Sequence, residues 1–160
     1  MKHVEVSRRF KLTREASVED LKAALLDSLR GPFDIDSIED DGDMLKVRGT
    51  TGGRDSINRH AKVDLSIKVL KQQEMARIVV TGTSGMARSL LISYTGLVLL
   101  VLLAGLLPGS IETGGEGSDA LDTLVLMVFG LFIFYDITRK VGEPAEYLSA
   151  ILQSLETEFG

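Results

Sequence analysis

The feature that most constrains this chain is a run of 19 residues without a charged side chain, "SLLISYTGLVLLVLLAGLL" at 89–107. A helix of that length spans about 28 Å at 1.5 Å per residue, close to the hydrocarbon thickness of a bilayer. The rest of a 160-residue chain offers too little apolar surface to bury so uniform a helix. The run therefore predicts a first transmembrane helix at 89–107.

A second apolar run, "TLVLMVFGLFIFY" at 123–135, is shorter and spans only about 20 Å as a helix. Taken alone, a run of this length also fits a re-entrant segment. Its flanks favour a full crossing, because Asp119 is a plausible N-cap and two basic residues follow the far end. We predict a second transmembrane helix at 119–139, joined to the first by a short acidic external loop at 108–118.

Basic residues flank this predicted hairpin on one side only. They are Arg77 and Arg88 before it and Arg139 and Lys140 after it, whereas the connecting loop has no base. The positive-inside rule then places the protein in the inner (cytoplasmic) membrane with both termini in the cytosol. The chain has no cysteine, which is consistent with that placement and excludes disulfides and zinc–sulfur sites.

The first 85 residues have the pattern of a small folded domain. Polar and apolar residues alternate over 4–12 and 61–69, which is typical of strands. Ser17 and Asp20 form a capping box for a helix that stops at "GP", and "DDGD" marks a hairpin. The predicted fold class is an α+β cytosolic domain over 1–85, a β-α-β-β-β-β antiparallel sheet with one helix, plus the transmembrane hairpin and a C-terminal amphipathic helix.

The C-terminal helix is predicted at 143–160. One stripe of this segment is apolar, with Leu148, Ile151, Leu152, Leu155 and Phe159. Its polar face is acidic and has no base, unlike helices that lie on membranes. Residues 1–88 carry 16 bases and 14 acids, a net charge of +2. The helix is therefore expected to dock on the N-terminal domain, or on that of a neighbouring copy.

Two motifs look like ligand sites and fail on spacing. "VVTGTSGMAR" at 79–88 is similar to the start of a dinucleotide-binding turn, but Arg88 occupies the third glycine position. We interpret it as a flexible joint between the last strand and the membrane. "DIDSIEDDGD" at 34–43 is rich in carboxylates, but Arg48 stands where a calcium loop requires a bidentate Glu. A solvated hairpin is the preferred interpretation, with a loose cation site as the alternative.

Three sets of residues are candidate contact sites, and each also has a simpler interpretation. The first set, Arg54, Arg59 and His60, is a candidate contact for an anion or a lipid head group; the simpler interpretation is a solvated loop. Helix–helix packing is expected at Ser89, Ser93, Gly96 and Gly130. The third set, Glu112, Glu116, Asp119 and Asp122, is expected to attract cations to the outer side of the membrane. The simpler interpretation is that the loop is acidic because basic residues would hinder its export.

The sequence contains no recognisable nucleophile–base pair and no metal cluster, so we expect no catalytic residues, no metal and no cofactor. The predicted function is that of a non-catalytic two-pass membrane protein, a scaffold or assembly subunit of a homo-oligomer or a larger membrane complex. The alternative is an oligomeric cation-conducting pore gated by its cytosolic domain. Expected partners are the lipid bilayer and other copies of the chain or other membrane subunits. Nucleic acid is not expected, because no basic stripe with aromatics occurs.

Overall fold

The structure is a computed structural model that describes residues 1–13, 15–52, 60–106 and 118–160. Within these ranges, side chains are described everywhere except at residues 89, 101–106 and 118–124. The described chain is an α+β fold with a five-stranded antiparallel sheet and three helices.

The sheet consists of β1 (Lys2–Lys11), β2 (Phe33–Asp40), β3 (Leu45–Thr51), β4 (Ala61–Gln72) and β5 (Met75–Met86). Their spatial order is β1-β5-β4-β3-β2, and each neighbouring pair is antiparallel. β4 and β5 form a long hairpin whose turn begins at Gln73, where φ is 55°. The first strand returns to pair with the last, so β1 and β2 are the edges of the sheet.

Helix α1 (Val18–Leu29) connects the two edge strands. Its capping box is confirmed, because the Asp20 backbone N–H donates to Ser17 Oγ at 3.0 Å and the Ser17 N–H donates to the Asp20 carboxylate at 2.8 Å. The buried Lys22 on this helix donates to Asp40 and to the Gly42 carbonyl. The Gly42 backbone N–H and the Lys22 ammonium hold the pKa of Asp40 below its usual range. This ion pair ties the helix to the β2–β3 turn.

Helix α3 (Ser118–Phe159) is a single helix of 42 residues with Pro144 inside it. Its C-terminal half lies against β1, β5, β4 and α1. Leu148, Leu152 and Leu155 are at most 1% exposed, and Ile151 and Phe159 are also buried. Facing them are the inward residues of the central strands, among which Leu65, Ile67 and Ile78 are at most 1% exposed. The core therefore lies between one face of the sheet and the two helices α1 and α3.

Two glycines on the inner face let neighbouring strands approach closely. A Cβ built on Gly82 in β5 would lie 2.1 Å from the Asp64 carbonyl oxygen of β4. A Cβ on Gly49 in β3 would lie 2.4 Å from the Asp34 carbonyl oxygen of β2, next to a register shift at Ile35. Both contacts are with backbone, so neither position accommodates a side chain without movement of a strand.

The segment around Gly82 also corrects one sequence interpretation. Residues 79–86 are not a flexible joint, because they belong to β5; residues 79–84 pair with both β1 and β4, and residues 85–86 pair with β4. Helix α2 (Arg88–Leu106) starts two residues after the strand ends. The motif that is similar to a dinucleotide-binding turn is thus an ordinary central strand.

The transmembrane hairpin predicted from the sequence is corrected by the structure. Among the residues that the structure describes, no helix combines the length and apolar character needed to cross a membrane. In α3, Asp136, Arg139 and Lys140 follow the uncharged residues 125–135. The fold class with a two-helix transmembrane hairpin is wrong. So are the functions that depend on it, a two-pass membrane assembly subunit or a gated cation pore, and the inner-membrane location with both termini in the cytosol.

Candidate interaction surface

The largest unexplained feature of the fold is an exposed apolar surface on α2 and on the N-terminal half of α3, here called the apolar helical surface. Fourteen large apolar side chains on these helices are between 41% and 67% exposed. On α2 they are Leu91, Ile92, Leu97, Val98, Leu99 and Leu100. On α3 they are Val125, Leu126, Met127, Val128, Leu131, Phe132, Phe134 and Tyr135.

The apolar helical surface is larger than ordinary surface apolarity explains. Isolated exposed apolar residues are normal, but the largest contiguous apolar patch of a typical monomer measures about 300–600 Å². Fourteen side chains of this size, each about half exposed, present on the order of 1,000 Å². The four consecutive exposed residues 125–128 also cover a full turn of α3. A helix that is apolar all round requires apolar surroundings.

Gly96 and Gly130 lie within this surface, and among the described residues neither has a neighbour where a side chain would begin. A Cβ built on either glycine meets no atom within 4 Å. Within one copy, the two glycines therefore do not mark a tight crossing of α2 over α3. Both positions thus have open space beside them in the described structure. Ser93 lies on the same helix as Gly96, and the Ser89 side chain lies outside the described residues.

A polar cluster joins α2 to α3 at one end of the apolar helical surface. The Tyr94 hydroxyl donates to the Asp136 carboxylate, and Lys140 Nζ lies 2.9 Å from the same carboxylate. The Lys140 ammonium also lies 5.8 Å from the centroid of the Tyr94 ring. The i,i+4 ion pair between Asp136 and Lys140 is the one that their spacing predicts. Tyr94 was not among the residues predicted from the sequence, although a hydroxyl in an otherwise apolar run was a usable signal.

The other predicted contact residues are not gathered into one site. His60 Nδ1 lies 3.0 Å from the Glu143 carboxylate, and both side chains are mostly buried. His60 thus joins the start of β4 to the middle of α3. Its expected companions in an anion site, Arg54 and Arg59, lie outside the described residues, as do Glu112 and Glu116. Asp119 and Asp122 belong to the first turns of α3, and their side chains are not described.

The buried polar side chains of the described core mostly form hydrogen bonds that link elements of the fold. Ser84 Oγ donates to the Val141 carbonyl oxygen at 2.8 Å, which links β5 to α3. Thr51 Oγ1 accepts from the Ala61 backbone N–H at 2.9 Å. Thr50 Oγ1 is buried and has no partner among the described residues. In the same part of the chain, no group of three or more His, Asp or Glu side chains is arranged to hold a metal ion.

Comparisons with known proteins do not add a family to this description. No protein-family model matches the chain, and no curated protein is significantly similar to it. Among solved structures, the chain is 12% identical to the protein TTHA0849 from Thermus thermophilus, covering 96% of this chain and 98% of that one, with a TM-score of 0.29. It is also 12% identical to a conserved protein from Geobacillus kaustophilus, covering 99% and 98%, with a TM-score of 0.26. Scores this low carry no argument about function.

Proposed function

We propose that the chain is a non-catalytic interaction protein that binds other copies of itself through the apolar helical surface. The observation that carries the proposal is the exposure of fourteen large apolar side chains on α2 and on the N-terminal half of α3, two helices that Tyr94 and Asp136 link. A stable protein–protein interface buries about 800 Å² per partner, and the apolar helical surface offers at least that much.

The chemistry of the surface favours a second copy as the occupant. No described side chain of residues 90–100 or 125–135 is charged, so the surface needs no partner of opposite charge. An apolar surface is complementary to itself, as the isologous interface of a two-fold dimer requires. At the described rim, the Asp136 carboxylate is paired with Lys140 and accepts from Tyr94.

The mass of the full chain, purified without detergent, tests the proposal. Sedimentation equilibrium should give a multiple of the 17.4 kDa chain mass. Phe132→Glu places a charge on a side chain that is 65% exposed, and it should weaken association at least about tenfold because that charge must be buried in the interface. Met44→Glu is the matched control, since Met44 is 37% exposed in the β2–β3 turn, and it should leave the mass unchanged.

Cross-linking provides a second readout. Because the chain has no cysteine, Gly96→Cys introduces a single thiol at a position with open space around it. Mild oxidation should give a disulfide-linked dimer, whereas Lys62→Cys on the sheet should not. A wild-type monomer at about 100 μM would refute the proposal, since a stable interface of this size should hold at that concentration. So would a monomer that floats with phosphatidylcholine vesicles, because the apolar helical surface would then take lipid instead of a second copy.

A further inference from the structure

The face of the sheet that α1 and α3 leave uncovered carries charged side chains. Its basic side chains are paired with carboxylates on one side of the face and not on the other. On the side of β2 and β3, Arg48 lies 3.2 Å from Asp64 and 3.9 Å from Glu39, and Lys46 lies 3.0 Å from Asp41. These bases are neutralised locally. On the opposite side, formed by β1, β5 and β4, three basic side chains lie close together without such partners.

Arg9 on β1 and Arg77 on β5 are direct partners in the strand register. Residues directly opposite each other in an antiparallel pair point to the same face, with Cβ atoms about 4.5–5.5 Å apart. Arg77 is also opposite Leu70 on β4, and Lys68 lies two residues along β4 on that same face. Arg9, Arg77 and Lys68 are all exposed. Three cations therefore share one corner of the open face, here called the basic corner.

No carboxylate of the described residues pairs with the basic corner. The side chains of Arg9, Arg77 and Lys68 make no hydrogen bond and no ion pair with the residues that the structure describes. The neighbouring acids are engaged elsewhere, Glu74 with Lys11 at 3.1 Å and Glu5 with His3 at 4.0 Å. Like charges placed directly opposite each other destabilise a sheet. The fold thus retains an unfavourable pair of arginines that a bound anion would turn into a favourable one.

The two arginines also line a depression in the surface. Its other walls are Leu70, Gln72, Met75 and Ala76. A guanidinium group is planar and has several N–H donors that suit bidentate binding of an oxyanion, and two such groups line this depression. A phosphate dianion matches three cations better than a single carboxylate does.

We propose that the basic corner is a binding site for a small phosphate-bearing molecule, whose phosphate bridges Arg9 and Arg77 while Lys68 adds a third positive charge. This site is on the sheet, separate from the apolar helical surface, and its test is independent of self-association.

Calorimetry on the full chain with inorganic phosphate at fixed ionic strength measures this binding. We expect saturable binding that Arg9→Ala or Arg77→Ala weakens by about tenfold or more, and that Lys68→Ala weakens less. Arg77→Lys should be intermediate, because it keeps the charge and loses the planar fork. Arg48→Ala, on the paired side of the same face, should change the affinity less than about twofold.

Three outcomes would overturn the proposal. The first is a dissociation constant for inorganic phosphate weaker than about 10 mM, which is no more than non-specific attraction. The second is equal binding of acetate and phosphate. The third is phosphate binding that Arg9→Ala and Arg77→Ala leave unchanged while Arg48→Ala removes it. Since all these side chains are exposed, circular dichroism should show that each variant keeps the fold of the wild type.

Discussion

Substituting Gly82 by alanine should destabilise the fold far more than the same substitution at Gly85, three residues further along β5. A Cβ at Gly82 would lie 2.1 Å from the Asp64 carbonyl oxygen and 2.9 Å from the Leu65 Cα, so the β4 backbone must move. At Gly85, the nearest atom is the Met1 Cγ at 3.5 Å, which is an ordinary contact on a flexible side chain. Both substitutions add one methyl group to the same strand. They differ in the space that is available for the new Cβ.

The expected magnitudes follow from two opposing terms. Forcing an extra methyl into a packed site costs about 1–3 kcal/mol, whereas replacing glycine by alanine stabilises by roughly 0.4–1 kcal/mol through the unfolded chain. Because the clash at Gly82 is with backbone, we expect Gly82→Ala to lower the free energy of unfolding by about 2 kcal/mol or more. Gly85→Ala should change it by less than about 0.5 kcal/mol or should stabilise slightly.

Urea unfolding followed by circular dichroism measures both variants, at one protein concentration because association shifts apparent stability. For a chain of this size, about 2 kcal/mol corresponds to a fall in Tm of roughly 4–8 °C. If the two variants unfold within about 0.5 kcal/mol of each other, the close approach of β4 and β5 is not the reason for glycine at this position.

Two further predictions concern the core and the β2–β3 turn. Leu152→Ala should lower the free energy of unfolding by about 2–5 kcal/mol, because Leu152 is fully buried between α3 and the sheet. Gln153→Ala, at an exposed position, is the control. Similar denaturation midpoints for the two variants would contradict this packing. The Asp40 carboxylate should titrate by NMR below its ordinary value of 3.8, so its stabilising contribution is complete above that pH and is lost as the pH falls through the lower folded value. Lys22→Met should raise the pKa of Asp40 while Asp64→Asn should not, and a wild-type midpoint at or above 3.8 would show that the Gly42 and Lys22 contacts do not act on this carboxylate.

Features that depend on neighbouring residues in the sequence were the most predictable. The Ser17–Asp20 capping box is written in four consecutive residues, and its hydrogen bonds form as the spacing predicts. The acidic turn between β2 and β3 is likewise local, since Asp40 accepts from the Gly42 backbone N–H two residues later. Such signals need no knowledge of the rest of the fold.

The basic corner was not predictable, because it depends on register. Arg9 and Arg77 are 68 positions apart in the sequence and become opposite only when β1 pairs with β5. A slip of one residue would turn Arg9 to the other face. Nothing in either segment alone indicates which residue of one strand faces which residue of the other.

The predicted membrane crossing failed for a different reason. An uncharged run such as 89–107 shows that a helix needs apolar surroundings, and it does not say whether lipid or other helices provide them. The segment 143–160 was also expected to form a separate helix, yet α3 continues into it through Pro144. A proline inside a helix costs about 3 kcal/mol, which the burial of Leu148, Ile151 and Leu152 on its C-terminal side offsets.

The continuity of α3 also has a mechanical meaning. A helix of 42 residues is about 60 Å long; its apolar half is exposed and its C-terminal half is packed on the sheet. A partner bound to the apolar half would hold one end of the helix, while Leu152 and Leu155 fix the other end in the core against the sheet. Any tilt imposed at one end must be accommodated at the other or at Pro144, where the backbone lacks one hydrogen bond and bends most easily. A tilt of the apolar half is thus either transmitted to the sheet or taken up by bending at Pro144.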